Sequence, residues 1–190
     1  MCIYLTLGVI LFGLIHLYPT VFVAHRAAIG DKIGHMTYKG IHALLIILSL
    51  VMIVYGWQEA VDITMVYTPP AWGPMVTVLL MFLAVFLFIS ARAGGNIKRL
   101  VRHPQLSSII LWGVAHLLSN GDSRSITLFG AMIVWAILQM FFLNRRDGAW
   151  QKPDRSPILR DIIVVVVSAV IFVALISGHA YFTGVPLSRS

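Results

Sequence analysis

Two histidines within long apolar stretches are the residues whose type and spacing could support chemistry. His16 ends the run Phe-Gly-Leu-Ile-His and His116 ends the run Trp-Gly-Val-Ala-His, so both follow the pattern aromatic-Gly-x-x-His. An ionisable side chain is costly in lipid, which makes each a functional candidate. Because a helical side chain leans over the preceding turn, Gly13 and Gly113 would leave room beneath each imidazole for a flat group beside an aromatic ring such as Trp112.

The chemistry that this pattern indicates is ligation of a planar metal cofactor. Counted along their helices, His16 lies roughly 12 Å and His116 roughly 16 Å from the cytoplasmic face, so both are near the middle of the membrane. Two neutral imidazoles that face each other in a helix bundle would supply the axial ligands of haem b. Its propionates would need cations near the cytoplasmic face, where Arg102 and His103 are available.

A purely structural interpretation of the same residues stays open. Glycine in membrane helices commonly serves helix packing, and a buried histidine can simply hydrogen-bond a neighbour. The other histidines are less suggestive. His42 is shallow in the second segment and has no assigned role, and His179 is expected at the far interface. His25 and His35 are expected in a loop.

The elements that position these histidines are membrane-spanning helices. Of the 190 residues, 59% are hydrophobic and 11% are charged, with a mean hydropathy of +0.90. Soluble domains have about 25% charged residues, so lipid must surround most of this chain. The sequence predicts an all-α polytopic bundle, a single transmembrane domain over residues 1–190. Its six helices are expected at about 2–24, 41–57, 72–91, 105–119, 125–144 and 161–182.

Charge in the connecting segments predicts the orientation of the helices. The five segments contain three, none, four, one and five Lys and Arg residues in chain order. Cytoplasmic loops carry the excess of positive charge, so the first, third and fifth segments are expected in the cytoplasm and the N-terminus outside. The fourth helix is short, but without its crossing the basic fifth segment would lie outside.

Local residue types agree with these helix boundaries. Pro104 could begin the fourth helix, where its missing N–H costs nothing. The run Asn120–Asp122 reads as a stop and turn, and Pro19 should kink the first helix near its end.

Charge and cysteine content exclude several other functions. The net charge of +7 follows topology and shows no basic stripe with interleaved aromatics, which argues against nucleic-acid binding. The single cysteine, Cys2, excludes an intramolecular disulfide and a multi-cysteine metal site.

Specific motifs resemble the NnrU family over most of the chain, up to the fifth helix. They are Arg-His-Pro-Gln at 102–105, Trp-Gly-Val-Ala-His-Leu-Leu-Ser-Asn-Gly-Asp at 112–122, and Leu-Phe-Gly at 128–130. The resemblance implies a multi-pass protein of the bacterial inner membrane, associated with nitrite and nitric oxide reduction. It also implies a relation to zeta-carotene isomerase, which holds haem b with histidines. By motif, those ligand positions correspond to His16 and His116, with Arg102 and His103 nearby in the motif.

The sequence also departs from the isomerase pattern. His16 is followed by Leu-Tyr-Pro rather than Ser-Gly, and the run after His116 has the NnrU form, so carotene isomerisation itself is not expected.

Three functions therefore remain open. The first is haem-dependent redox or isomerase-like chemistry, and the second is a non-enzymatic accessory role with a protein partner in nitrite or nitric oxide reduction. The third is a lipid-directed methyltransferase, because Arg-His-Pro recurs in isoprenylcysteine-type enzymes. The segment after Leu159 lacks their C-terminal motif. Whether the protein is an enzyme, its substrate and its electron donor stay open.

Overall fold

The computed structural model describes residues 3–61 and 63–184, which are helical apart from connecting loops. The helices are α1 (Ile3–Val21), α2 (Val23–Ile33), α3 (His35–Gln58), α4 (Gly73–Ala93), α5 (Pro104–Ser119), α6 (Ser123–Asp147) and α7 (Ile158–Thr183). A 3-10 turn, Asn96–Arg99, precedes α5, and α6 has π-helical geometry over Ile126–Gly130. Cys2 and Asp62 lie outside the described residues.

Five of these helices are long and apolar enough to cross a membrane: α1, α3, α4, α6 and α7. They confirm the prediction of an all-helical, multi-pass membrane protein. Helix α5 has 16 residues. At 1.5 Å per residue it extends about 24 Å, whereas the hydrocarbon core of a bilayer is about 30 Å thick. The sixth span and the external N-terminus stay predictions.

The segment between the first two spans is helical, which corrects the expectation of a loop for two histidines. His25 lies within α2, and His35 is the first residue of α3. Helix α1 ends two residues after Pro19, and the chain leaves helical geometry at Phe22, with φ −106° and ψ 55°. It breaks again at Gly34, whose φ of +90° suits glycine. Between the breaks, three alanines with arginine and lysine favour a helix.

The chain forms two compact units, each assembled from two separate stretches of sequence. Unit 1 comprises Met1–Thr68 and Gly121–Ala149 and contains α1, α2, α3 and α6. Unit 2 comprises Pro69–Asn120 and Trp150–Ser190 and contains α4, α5 and α7. A single transmembrane domain over residues 1–190 stays a prediction.

Glycines allow α1 and α3 to approach closely in unit 1. A Cβ atom on Gly8 would lie 2.9 Å from the backbone nitrogen of Ile53, and one on Gly56 would clash with the backbone of Leu5. Leu5 is fully buried. Small residues at such crossings let membrane helices gain van der Waals contact, which lipid cannot replace. The glycines therefore hold α1 against α3, the helix that carries His42.

Helices α4 and α5 run antiparallel in unit 2. A Cβ atom on Gly73, at the start of α4, would clash with the carbonyl of Leu118 near the end of α5. One turn further along α4, the Thr77 hydroxyl donates to the carbonyl of Ala115 at 2.7 Å. A polar side chain in an apolar bundle is best satisfied by a neighbouring backbone. These contacts fix the register of the helix that carries His116.

Hydrogen bonds connect the start of α7 to the loop before α5. The carboxylate of Asp161 accepts hydrogen bonds from the backbone nitrogen and the side-chain amide of Asn96. The backbone nitrogen of Ser156 donates to the Asn96 side chain, and its hydroxyl donates to the carbonyl of Gly94. This network sets the position of α7 within unit 2.

The helix break predicted at residues 120–122 is observed, with extended backbone at Asn120 and Asp122, and its residues have structural roles. The carbonyl of Gly121 accepts the backbone N–H of Val66 at 2.8 Å. The carboxylate of Asp122 caps the start of α6, accepting from the backbone nitrogen of Ser125 at 2.9 Å and from its hydroxyl at 2.7 Å. An acidic side chain at this position satisfies helix N–H groups that have no partner within the helix.

Arg124 connects the same turn to the end of α3. Its guanidinium lies 4.0 Å from the ring centroid of Trp57 and donates to the Trp57 carbonyl at 3.1 Å. Burial, and then the negative charge of Asp122, raise the pKa of the nearby Tyr67 above its ordinary value. Tyr67 therefore stays uncharged across the physiological range.

Candidate functional site

His16 is held in one tautomer by the backbone of its own helix. Its Nδ1 atom lies 2.8 Å from the carbonyl oxygen of Phe12. A carbonyl can only accept, so Nδ1 must carry the proton, and Nε2 of the neutral ring presents its lone pair. Metal-binding histidines characteristically donate their other N–H to a carbonyl or carboxylate in this manner.

His116 repeats this arrangement in the second unit. Its Nδ1 atom lies 2.9 Å from the carbonyl oxygen of Trp112. The same reasoning places the proton on Nδ1 and leaves Nε2 unprotonated. The shared sequence pattern therefore has a shared physical consequence, because in both runs the aromatic residue supplies the carbonyl that fixes the tautomer.

The aromatic side chains also contact the imidazoles. The ring centroids of Phe12 and His16 are 4.1 Å apart with a 31° angle between planes. Those of Trp112 and His116 are 5.3 Å apart at 56°. Such contacts restrict rotation of each imidazole about its side-chain bonds. Gly113 is buried beside this pair on α5.

A tryptophan from α6 occupies the space beside Gly13. A Cβ atom on Gly13 would lie 3.5 Å from Cδ1 of Trp135, and the indole centroid lies 5.3 Å from that of His16. The space that the sequence predicted for a flat group over this glycine is thus occupied, at least on one side, by the protein itself. Nothing in the sequence of α1 alone could reveal it, because Trp135 is more than 100 residues away along the chain.

Unsatisfied polar atoms lie in the same wall of unit 1. The indole Nε1 of Trp135 and the amide Oε1 of Gln139 are buried, and neither has a hydrogen-bond partner within residues 3–61 and 63–184. The Gln139 amide nitrogen donates to the hydroxyl of Thr20 at 2.7 Å. Buried polar groups in proteins are nearly always paired, so the unpaired indole N–H of Trp135 beside His16 is consistent with a polar bound group.

Each candidate histidine faces a second histidine that sequence reasoning left without a role. The ring centroids of His16 and His42 are 6.3 Å apart in unit 1. Those of His116 and His179 are 6.5 Å apart in unit 2. His42 also stacks on Tyr38, with centroids 6.0 Å apart and planes at 17°. The one available sequence signal was that all four histidines lie within apolar segments.

The comparisons with known proteins bear on the whole chain. The family model described as "NnrU protein" matches residues 4–187. The chain belongs to the NnrU family. No match to it was found among curated proteins or among solved structures. The family predicted from the motifs is thus confirmed, whereas haem binding and a role in nitrite or nitric oxide reduction stay predictions for this NnrU protein.

The Arg-His-Pro motif of this NnrU protein lies at the start of α5. Pro104 is the first helical residue and is buried, as predicted, and His103 precedes it as the cap residue. The carbonyl of His103 accepts the backbone N–H of Ser107 at 2.9 Å. The twelve-residue rise from Pro104 to His116 is about 18 Å. Arg102 and His103 lie before Pro104, at the other end of α5 from His116, and their expected role near haem propionates stays a prediction.

The donor atoms at the two candidate histidines of this NnrU protein are imidazole nitrogens. Within residues 3–61 and 63–184, no group of three or more His, Cys, Asp or Glu side chains could hold a metal ion. The structure instead assembles pairs of imidazoles, with aromatic walls. Imidazole nitrogen is a good ligand for iron, copper, zinc and nickel. Haem iron takes four ligands from its macrocycle and one or two from protein, so these residues fit that group.

Proposed function

We propose that this NnrU-family membrane protein binds haem b, with Nε2 of His16 and Nε2 of His116 as iron ligands. The observation that carries the proposal is the matched donation from Nδ1 to the carbonyl four residues earlier, at 2.8 Å and 2.9 Å. This hydrogen bond leaves the ligating nitrogen unprotonated and makes it more electron-rich.

The protein's own residues would orient and shield the cofactor. The carbonyls of Phe12 and Trp112 hold the tautomers, and the rings of the same two residues pack against the imidazoles. The unpaired indole N–H of Trp135 could donate to an oxygen of a bound group beside His16. Apolar helix faces exclude water. When bound, haem would supply one-electron redox chemistry.

We further propose that the protein acts in the inner membrane of a bacterium. The resemblance described above implies association with nitrite and nitric oxide reduction, and a haem held by two imidazoles would suit that role by transferring single electrons. Isomerase-like redox chemistry on a lipophilic substrate is the alternative reaction. The alternative to an enzyme is a non-enzymatic accessory role, which predicts co-purification with a protein partner and no turnover by the protein alone.

The test is the absorbance spectrum of purified protein. The chain is expressed with a haem precursor, purified in detergent and measured oxidised and reduced. We expect a Soret band. We expect His16→Ala and His116→Ala to weaken haem binding by more than the roughly 10–100-fold that loss of an outer-shell partner costs. His35→Ala is the matched control, because its side chain is 73% exposed.

Two results would contradict the proposal. One is a folded, monodisperse wild-type protein that carries no haem after expression with the precursor. The other is a haem-loaded protein whose haem content is unchanged in both His16→Ala and His116→Ala.

A further inference from the structure

The histidines of each unit form a pair that belongs to that unit alone. His16 on α1 faces His42 on α3, with ring centroids 6.3 Å apart and planes at 62°. His116 on α5 faces His179 on α7, with centroids 6.5 Å apart and planes at 22°. All four side chains are partly buried, and His16, His42 and His179 lie on helices that are long and apolar enough to cross a membrane. An intramembrane histidine is costly, so two separate pairs at nearly the same spacing need a physical reason.

The spacing matches two imidazoles that share one metal ion. A metal–imidazole bond is about 2.0 Å, and each ligating nitrogen lies about 1 Å from its ring centroid, so the two centroids should be roughly 6 Å apart. Either interplanar angle is compatible, because each ring can rotate about its metal–nitrogen bond. A direct hydrogen bond between two imidazoles through their ring nitrogens would bring the centroids closer, to roughly 5 Å.

Protonation states support this arrangement in three of the four rings. His16 and His116 donate from Nδ1 to carbonyls, which leaves Nε2 of each unprotonated. The hydroxyl of Thr183 donates to the carbonyl of His179 at 2.8 Å and lies 3.3 Å from Nδ1 of the same residue. A hydroxyl has one proton, so toward Nδ1 it accepts. His179 is therefore also protonated on Nδ1 and unprotonated on Nε2.

The surroundings of the fourth ring suit a ligand role as well. His42 lines an open groove of about 250 Å³ with Leu14, Ile15, Tyr18, Tyr38 and Leu45. The ring of Tyr38 lies nearly parallel to that of His42 and restricts its rotation. The Tyr38 hydroxyl is buried and has no hydrogen-bond partner among the described residues. The groove is otherwise mostly apolar, as a haem edge requires.

We propose that each unit is a self-contained bis-imidazole haem site, with His42 as the second iron ligand beside His16 and His179 as the second iron ligand beside His116. The proposal rests on the proposed haem function and extends it, because it names the partner of each ligand and gives two haems per chain. His42 and His179 are then ligands rather than interfacial residues.

The first test counts haems. Purified protein is assayed for haem per chain by pyridine haemochrome, and for low-spin ferric iron by electron paramagnetic resonance. We expect two haems per chain, both low-spin and six-coordinate. His42→Ala should remove the low-spin signal of one haem and leave the other, and His179→Ala should do the same for the second. His25→Ala is a control outside both pairs.

A second pair of variants separates ligation from folding. His42→Met and His179→Met keep an apolar side chain of similar size that can still bind iron. Each should retain low-spin iron, with the reduction potential of one haem raised, because methionine ligation raises haem potentials. Alanine and methionine variants that behave identically would mean that neither position binds iron, which would overturn the proposal.

One result separates this inference from the proposed function. A single haem per chain, lost in either His16→Ala or His116→Ala and unchanged in both His42→Ala and His179→Ala, would overturn the two-site arrangement while the proposed function stands. Absence of haem from folded wild-type protein would overturn both.

Discussion

At the scale of single residues, backbone carbonyls determine which nitrogen of each candidate histidine carries the proton. In both aromatic-Gly-x-x-His runs, the carbonyl four residues earlier fixes the histidine tautomer. The sequence pattern singled out His16 and His116 as candidate ligands. It also predicted that the glycine in each run leaves space for a flat ligand. Beside Gly13 that space is taken by Trp135. The contact joins α1 to α6, and no local pattern encodes a contact between residues so distant in the chain.

Asp122 shows how a motif residue can be structural rather than catalytic. It accepts two hydrogen bonds from Ser125 at the start of α6. We expect Asp122→Ala to lower the free energy of unfolding by about 0.5–2 kcal/mol, the usual cost of losing an N-terminal cap. Asp122→Asn should cost less, because an amide oxygen can still accept. Thermal unfolding in detergent measures both.

The control for this prediction is Asp154→Ala, which removes an exposed acidic residue in the loop before α7. Equal stability of the Asp122 and Asp154 alanine variants would show that the cap contributes nothing measurable.

At the scale of helices, the apolar segments predicted the presence of each helix more accurately than the residues at which it begins and ends. The predicted helix at 105–119 is observed as Pro104–Ser119, because proline and the Asn-Gly-Asp turn mark its ends. The second span begins at His35 rather than at 41. Its polar first turns extend beyond the apolar stretch, and hydropathy marks where lipid begins rather than where the helix begins.

The close approach of α1 and α3 depends on glycine. We expect Gly56→Ala to destabilise the protein by about 1–3 kcal/mol, because the added methyl would meet the backbone of Leu5. Gly40→Ala is the matched control on the same helix, since nothing lies within 4 Å of its added Cβ. It should be neutral or stabilising by up to about 1 kcal/mol through helix propensity.

Thermal unfolding of the two variants side by side measures the difference. If Gly56→Ala were as stable as Gly40→Ala, α1 and α3 would be able to move apart without a loss of stability. Because Gly8 and Gly56 hold the helices that carry His16 and His42, Gly56→Ala should also weaken haem retention if the unit 1 site is correct.

At the scale of the whole molecule, the number of membrane crossings is decided by α5. If α5 crosses, the basic segments before it and after α6 lie on the same, cytoplasmic side. In a Cys2→Ala background, Lys98→Cys and Asp154→Cys should therefore be labelled by an impermeant thiol reagent from the same side of oriented vesicles. Glu59→Cys should be labelled from the opposite side.

Labelling of Lys98→Cys and Asp154→Cys from opposite sides would show that α5 does not cross, because α6 alone would then lie between them across the membrane. Labelling of Glu59→Cys from the cytoplasmic side would reverse the predicted orientation of the N-terminus.

The sequence by itself determined the apolar, membrane-type helices and the family, and it singled out His16 and His116 as candidate ligands. Each of these follows from composition or from neighbours along one helix, where geometry is set by the regular 3.6-residue turn. Only the tertiary structure decided which imidazoles face each other. His42 and His179 became candidate ligands because α1 packs on α3 within unit 1 and the ring of His179 on α7 lies beside that of His116 on α5 within unit 2. Those pairings depend on interdigitation of side chains between distant segments, which hydropathy does not record.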